Sequence, residues 1–192
     1  MFSIKTYNDS YKVDWNNFVD ASKNSTFLFK REFMDYHAEM FEDFSLLIFY
    51  NSELIALLPC NIREGEVYSH EGLSYGGVIV KGDIKFLRYL ELFTYLLKYF
   101  DEKSINKLYI KQIPSIYNSN FNGELDYLSF IIGAKIYRRD IISVIEMKNE
   151  NKISKDRIQG YKRGKKNKLE IKETDDLDEF WNPILNRIDR AA

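Results

Sequence analysis

Apolar positions in the first 40 residues follow two different periods. Residues 2–7 alternate between apolar and polar side chains as a short strand does, and the polar residues 8–10 then supply turn and helix-cap chemistry. Apolar residues next recur every three or four positions, interrupted at 22–26, which predicts two amphipathic helices. We expect their aromatic stripe to face the core, and it consists of Trp15, Phe18, Val19, Phe29, Phe33, Tyr36 and Met40.

The next 60 residues predict a hairpin followed by a long helix. Residues 44–50 and 54–61 are strand-like and are joined by a short polar turn. Residues 67–80 form a further strand-and-turn region interrupted by glycines. Asp83 is then placed to cap a helix that runs to Phe100 and carries a wide apolar face. That helix is expected to cover a sheet.

Residues 107–147 continue the alternation of strands and helices. The pattern predicts a strand at 107–113, a helix at 124–132 that ends at Gly133, and a long strand at 135–147. Strands interleaved with helices indicate an α/β domain at 1–147, with a mixed sheet covered by helices.

Residues 148–192 differ from the preceding domain in composition. A polar and strongly basic stretch extends to Lys168, and it is followed by a predicted strand at 169–174 and a helix capped by Asp175. We interpret this region as a basic linker and the beginning of a second unit.

Composition limits the class of protein. The formal net charge of −1 and pI near 6.2 provide no overall field that would attract DNA. The single cysteine, Cys60, lies in an apolar run and is expected to be an inert buried thiol rather than a nucleophile. Because there is neither a signal-peptide pattern nor an apolar run of about 18 residues, we expect a cytoplasmic protein without a membrane span.

The chemistry-bearing residues concentrate in a glycine-rich block at 69–77. The block combines His70 and Tyr75 with the flexible backbone of Gly76 and Gly77, as expected where a chain closes over a polar ligand. The alternative is a structural hairpin with a satisfied histidine. No metal site is predicted, because the two histidines are far apart in sequence and Cys60 has no cysteine partner.

A dense cationic run at 162–168 is the second candidate. Lys162 and Arg163 begin it, and such a run binds phosphate groups of a nucleotide-linked substrate or an RNA backbone. The alternative is a solvated helix face.

Several blocks resemble, in order, those of the Fem-type (FemAB-like) branch of the GNAT acyltransferase superfamily. They are residues 33–37 (FMDYH), 41–46 (FEDFSL), 54–61 (LIALLPCN) and 69–77 (SHEGLSYGG), followed by the basic run and residues 178–181 (DEFW). The resemblance identifies the chain as the N-terminal part of such a protein, truncated soon after a second GNAT-like unit begins.

The resemblance implies an acyl- or aminoacyl-transferase that acts on a cell-envelope or surface-polysaccharide precursor, with acyl-CoA or aminoacyl-tRNA as donor. His70 is then the candidate catalytic residue. Tyr75, Gly76, Gly77, Lys162 and Arg163 are candidate substrate-binding residues, and His70, Tyr75 and the two glycines are expected to line a cleft that the cations approach. tRNA becomes a candidate partner.

Two other functions stay open at this point. One is a non-catalytic binding module for a sugar- or nucleotide-linked ligand, and the other makes the basic run an RNA-binding element.

Overall fold

The structure is a computed structural model that describes residues 1–146 and 152–188. It forms two compact units, Met1–Tyr137 and Arg138–Ala192. The strands of the first unit are β1 (Phe2–Thr6), β2 (Glu42–Asp43), β3 (Leu46–Tyr50), β4 (Glu53–Leu58), β5 (Asn61–Arg63), β6 (Glu66–Tyr68), β7 (Ile79–Val80) and β8 (Leu108–Tyr109). Its helices are α1 (Lys12–Ala21), α2 (Arg31–Met34), α3 (Phe86–Glu102) and α4 (Glu124–Ile131).

Two four-stranded sheets organise the first unit. The first has the order β1-β3-β4-β7 and is antiparallel throughout. The second has the order β2-β5-β6-β8, in which β6 and β8 run parallel. The predicted hairpin is confirmed as β3 and β4, whose turn residues Asn51 and Ser52 both have positive φ, as in a type I′ turn.

Alternate side chains of the first sheet enter two different cores. Ile48 and Ala56 pack in a cluster with residues of α3, whereas Leu47 and Leu57 pack in a cluster with residues of α1. Because successive residues of a strand point to opposite faces, helices cover this sheet on both sides. The predicted α/β class is confirmed, and Phe93 of α3 is a core residue, 4% exposed.

Helix α3 begins at Phe86, with Lys85 rather than Asp83 at its N-cap position. The predicted cap at Asp83 is wrong because this residue precedes the first helical residue by three positions. An N-cap residue directly precedes the first helical residue, so that its side chain accepts from the amide of the second or third helical residue.

The predicted second helix, around residues 29–40, is wrong as a continuous element. The chain forms a single 3₁₀ turn at Phe27–Phe29, the one-turn helix α2 and a second 3₁₀ turn at Asp35–His37. The residues of the predicted aromatic stripe therefore differ in exposure. Phe29 is fully buried, whereas Phe33, Tyr36 and Met40 are 37%, 84% and 73% exposed, and the residues that α2 buries are Arg31 and Met34.

Three predicted strands differ from the structure. Residues 107–113 contribute only the two-residue β8 and an isolated bridge at Gln112. Residues 135–146 and 169–174 form no strand, and Met147 lies outside the described residues. Their apolar side chains are exposed, including Ile141 at 99% and Ile171 at 103%. Alternation alone does not make a strand, because the backbone also needs a hydrogen-bonding neighbour.

Helix α4 and its terminator follow the prediction closely. The helix ends at Ile131, and Gly133 has φ +67°, the left-handed conformation that favours glycine after a helix.

The second unit contains α5 (Lys155–Lys166) and α6 (Leu177–Ile188). Asp176 rather than Asp175 caps α6, since its Oδ1 accepts a hydrogen bond of 3.0 Å from the Asp178 amide. The assignment of this unit as the start of a second GNAT-like domain stays a prediction. No helix within residues 1–146 and 152–188 is both long and apolar enough to cross a membrane.

Candidate functional site

The glycine-rich block forms the connection between β6 and β7 and is hydrogen-bonded to the chain that leaves β8. The Ser69 amide donates to the Tyr109 carbonyl at 2.8 Å, and the Ser69 Oγ accepts from the Lys111 amide at 2.8 Å. The Gly76 amide donates to the Lys111 carbonyl, and Gly76 forms a parallel bridge with Gln112. Both ends of the block are therefore held by one neighbouring segment.

Gly76 is required by close packing of the two ends. A Cβ atom placed on Gly76 would lie 1.9 Å from the carbonyl oxygen of Ser69, which is backbone and cannot rotate away. Gly77 has φ +105°, a conformation that side-chain-bearing residues rarely adopt. Both glycines thus serve the path of the chain, and their predicted role in substrate binding stays a prediction.

Glu71 fixes the middle of the block through both carboxylate oxygens. Oε2 accepts from Asn61 Nδ2 at 2.9 Å, and Oε1 pairs with Arg63 Nη1 at 2.7 Å. The Glu71 amide donates to Asn61 Oδ1 at 2.8 Å, so the two residues bond reciprocally. The Lys111 ammonium donates to the carbonyls of Glu71 and Leu73 at 2.9 and 2.7 Å. These charge-assisted bonds hold the loop against the second sheet.

His70 is buried inside this loop, with 4% of its surface exposed, and has φ +65°. The Phe41 ring packs edge-on against the imidazole, with ring centroids 5.6 Å apart. Gly72 leaves room for this contact, because an added Cβ would lie 2.6 Å from a Phe41 ring carbon. In this conformation the imidazole is covered by the protein itself. Its catalytic role stays a prediction.

Tyr75 is half-buried and lies among other aromatic residues. Its hydroxyl donates to Thr26 Oγ1 at 3.2 Å. Its ring packs against the buried Phe29 ring at 5.9 Å and against the Tyr117 ring at 5.4 Å between centroids. The Tyr117 ring that packs against Tyr75 is itself substantially exposed, at 48%.

Lys162 and Arg163 lie on α5 in the second unit, and both are exposed. Seven Lys or Arg residues and one Asp fall between 155 and 168. Ser154 caps the helix by accepting from the Arg157 amide at 3.4 Å. The run is therefore an exposed cationic helix, and its binding of phosphate or RNA stays a prediction. The expected approach of these cations to the glycine-rich block is likewise still a prediction.

A groove of about 390 Å³ lies at the start of α3 in the first unit. Its cationic side chains are Lys81, Lys85 and Arg88, and its acidic side chains are Glu53, Asp83 and Glu91. Lys81 pairs with Glu53, and Arg88 pairs with Glu91 at 2.7 Å. Since positive and negative charges balance, this groove offers no net attraction for a phosphate despite the helix N-terminus beside it.

Cys60 and Arg31 are both buried and have structural roles. The Cys60 thiol is fully buried, and burial followed by the charge of Asp43 raises its pKa well above the ordinary value, which favours the protonated thiol at neutral pH. This confirms the expected burial of the thiol, and its lack of reactivity stays a prediction. Arg31, 4% exposed, pairs with Asp35 and Asp43 at 2.6 Å each. Within residues 1–146 and 152–188, no three His, Cys, Asp or Glu residues are placed to hold a metal.

Sequence reasoning missed the residues that fix the loop. Asn61 is 1% exposed and Lys111 bonds two loop carbonyls, but neither stood out from its neighbours. A buried asparagine at the end of an apolar strand was the available signal for Asn61, because a buried amide needs partners. No local pattern marks Lys111, whose partners lie about 40 residues earlier.

No family model and no curated protein matches the chain. Among solved structures, AAC(6')-Iy in complex with a bisubstrate analogue, CoA-S-monomethyl-acetylneamine, aligns at a TM-score of 0.47 and 12% identity, covering 76% of this chain and 99% of that one. The aminoglycoside 6'-N-acetyltransferase AAC(6')-IG from Acinetobacter haemolyticus aligns at 0.43 and 14%, with coverage of 76% and 99%. The ribosomal-protein-S18-alanine N-acetyltransferase from Escherichia coli aligns at 0.42 and 11%, and the match spans 56% of this chain and 64% of that enzyme.

Proposed function

We propose that the chain is an acyl- or aminoacyl-transferase-like protein of the GNAT superfamily, of the Fem-type branch, that acts on a cell-envelope or surface-polysaccharide precursor in the cytoplasm. One observation carries the proposal: three of the blocks behind the family resemblance meet in space. Phe41 of the second block packs on His70 and Gly72 of the fourth, and Asn61 of the third bonds Glu71 of the fourth. Sequence blocks that meet in one loop support the family resemblance more strongly than blocks that lie apart.

The reaction needs little covalent chemistry from the protein. The acceptor amine or hydroxyl attacks the carbonyl of an acyl-CoA thioester or an aminoacyl-tRNA ester, a new C–N or C–O bond forms, and the C–S or C–O bond to the donor breaks. The attacking group loses its proton to a base or to water, and the leaving group gains one. Holding donor and acceptor in attack geometry and stabilising the oxyanion supply most of the acceleration.

Within this proposal, His70 is either a proton acceptor or the residue that sets the shape of the loop. The imidazole is 4% exposed, so a substrate reaches it only when the residues packed around it, Phe41 among them, move aside. Tyr75 presents a ring and a hydroxyl to the acceptor. Lys162 and Arg163 bind phosphate groups of the donor or acceptor, because the groove at the start of α3 carries balanced charge whereas α5 carries a cationic excess.

The test is an acyl-transfer assay with the 192-residue chain and, where the gene continues, with the complete product. Acyl-CoA and aminoacyl-tRNA donors would be offered with nucleotide-linked amino sugars as acceptors, and the product would be followed by mass spectrometry. We expect Tyr75→Phe and Lys162→Ala to lower kcat/KM by roughly tenfold each, the loss of one specific contact. Lys98→Ala, a solvent-facing substitution on α3, is the matched control.

Two outcomes would contradict the proposal. The first is the absence of product with every donor from a complete, folded protein. The second is turnover that none of the Tyr75, Lys162 and His70→Gln variants changes, since the predicted residues would then take no part in the reaction.

A non-catalytic binding module is the second candidate. The observation that favours it is the burial of His70 within a loop whose Glu71 side chain already bonds Asn61 and Arg63. Calorimetric binding of a nucleotide-linked sugar without turnover would favour the module. Titrating tRNA binding against salt tests the RNA-binding alternative: electrostatic binding to the α5 run must weaken steeply as salt rises.

A further inference from the structure

The 35–43 loop is a surface segment whose two ends lie together. Arg31 Nη2 pairs with Asp35 Oδ1 and with Asp43 Oδ2 at 2.6 Å each, so a single nitrogen holds both ends. Between the ends, residues 38–41 belong to no helix or strand, and the first three of them are exposed. A segment of this length with adjacent ends is an Ω-loop, a type of surface loop that is frequently functional.

Arg31 gives the loop a fixed base. It is 4% exposed, and its guanidinium carbon lies 3.7 Å from the centroid of the Tyr7 ring. Its Nη1 donates to Ser45 Oγ at 3.4 Å, and the Ser45 amide donates to Asp43 Oδ1 at 2.9 Å. Buried charge-assisted hydrogen bonds are stronger than exposed ones, so the base is held more firmly than the exposed middle of the loop.

The 35–43 loop contributes Phe41 to the cover of His70. The two rings pack edge-on, with 5.6 Å between their centroids. The glycine-rich block on the other side of this contact is fixed by the bonds of the Glu71 carboxylate and of the Lys111 ammonium. Since the middle of the 35–43 loop is exposed and lies outside regular structure, we expect this loop to move before the block does.

We propose that the 35–43 loop is a lid on His70, which opens about the Arg31 base while the rest of the first unit stays folded. In the closed form His70 is 4% exposed, and in the open form Phe41 leaves the imidazole so that a small molecule reaches it. Lids of this kind exclude water from a site during the reaction. The inference rests on the proposed function for its purpose, since it states how a substrate gains access to His70, but the opening is measurable without acyl transfer.

The test is the rate at which diethyl pyrocarbonate modifies His70 in the native 192-residue chain, with peptide mass spectrometry to distinguish this site from His37. When the reagent is dilute enough for the loop to close between encounters, the rate relative to that of the denatured chain gives the equilibrium constant of opening. Guanidinium unfolding gives the equilibrium constant of global unfolding. We expect the opening constant to be at least about tenfold larger than the unfolding constant. Equal constants would overturn the proposal, because the imidazole would then be reached only through unfolding.

Two variants and a control test the parts of the lid. Phe41→Ala should raise the opening constant by about tenfold, the factor expected for one buried aromatic contact. Met40→Ala is the matched control in the same loop, because Met40 is 73% exposed, and it should stay within about twofold. Asp43→Asn should raise the unfolding constant by about tenfold and the opening constant by less than about threefold, since the Arg31 base persists when the lid opens.

The outcomes separate this inference from the proposed function. Local opening that depends on Phe41, without acyl transfer, supports the lid and counts against the transferase. Acyl transfer by a chain whose His70 is modified only through global unfolding overturns the lid alone. An opening constant that Phe41→Ala leaves unchanged also overturns the lid, as does an equal rise of both constants in Asp43→Asn, since the loop would then open only when its base breaks.

Discussion

Gly76→Ala is the substitution for which the structure makes the strongest stability prediction. The added Cβ would lie 1.9 Å from the Ser69 carbonyl oxygen and 2.8 Å from its carbonyl carbon. Ordinary contacts of a Cβ atom begin above 3.4 Å, so one end of the block must move by more than an ångström. Neither end moves freely, because Ser69 and Gly76 both bond the 109–111 segment.

The expected cost combines two effects. Overpacking of a fixed site costs roughly 1–3 kcal/mol, and the disturbed hydrogen bond from the Gly76 amide to the Lys111 carbonyl adds about 1 kcal/mol. We therefore expect a loss of about 3 kcal/mol in the free energy of unfolding. For a chain of this size that loss lowers Tm by about 6–12 °C.

The assay is guanidinium unfolding followed by the fluorescence of Trp15, which is fully buried in the first unit. A Trp181→Phe background removes the other tryptophan, which lies in the second unit. Gly123→Ala is the matched control, because a Cβ there meets no atom within 4 Å and the change should stay within about 0.5 kcal/mol. Equal stability of the Gly76→Ala and Gly123→Ala variants would refute the close approach of Ser69 and Gly76.

Three further predictions follow from burial. Phe93→Ala should cost about 3–5 kcal/mol in unfolding free energy, whereas Phe121→Ala, at a fully exposed position, should be nearly neutral; a neutral Phe93→Ala would contradict its place in the core. Native Cys60 should resist a thiol reagent at pH 8 until denaturant is added, and rapid native labelling would show that the thiol is accessible. Burial, followed by the carboxylates of Glu124 and Asp126, raises the pKa of Tyr89, so the folded protein favours the neutral phenol. The contribution of this phenol to the free energy of unfolding is therefore complete below pH 10 and is lost at higher pH. Wild type should lose more stability than Tyr89→Phe between pH 9 and 11, and equal losses would contradict this.

Elements specified by local pattern were predicted well. The hairpin of β3 and β4 combines apolar strands with a short polar turn, and α3 carries an apolar face long enough to identify a helix. Gly133 ends α4 as expected. In these cases the residues that determine the element lie within it or beside it, so neighbouring sequence contains the information.

Predictions failed where a distant neighbour decides the structure. Residues 135–146 and 169–174 have strand-like alternation, but in the described chain no strand pairs with them. Phe33 has helical spacing from Phe29, but the chain breaks into short turns and exposes it. Periodicity specifies which face is apolar, and only tertiary packing specifies whether anything covers that face.

The sequence by itself determined the α/β class, the main helix and hairpin, and the composition of the glycine-rich block. Only the tertiary structure packed Phe41 on His70, joined Asn61 to Glu71, and placed Tyr75 against Thr26 and Tyr117. The physical reason is the range of the interactions. Backbone propensity and periodic burial act between neighbours in sequence, whereas a hydrogen bond, a ring contact or a steric exclusion depends on which distant residues folding brings within a few ångströms.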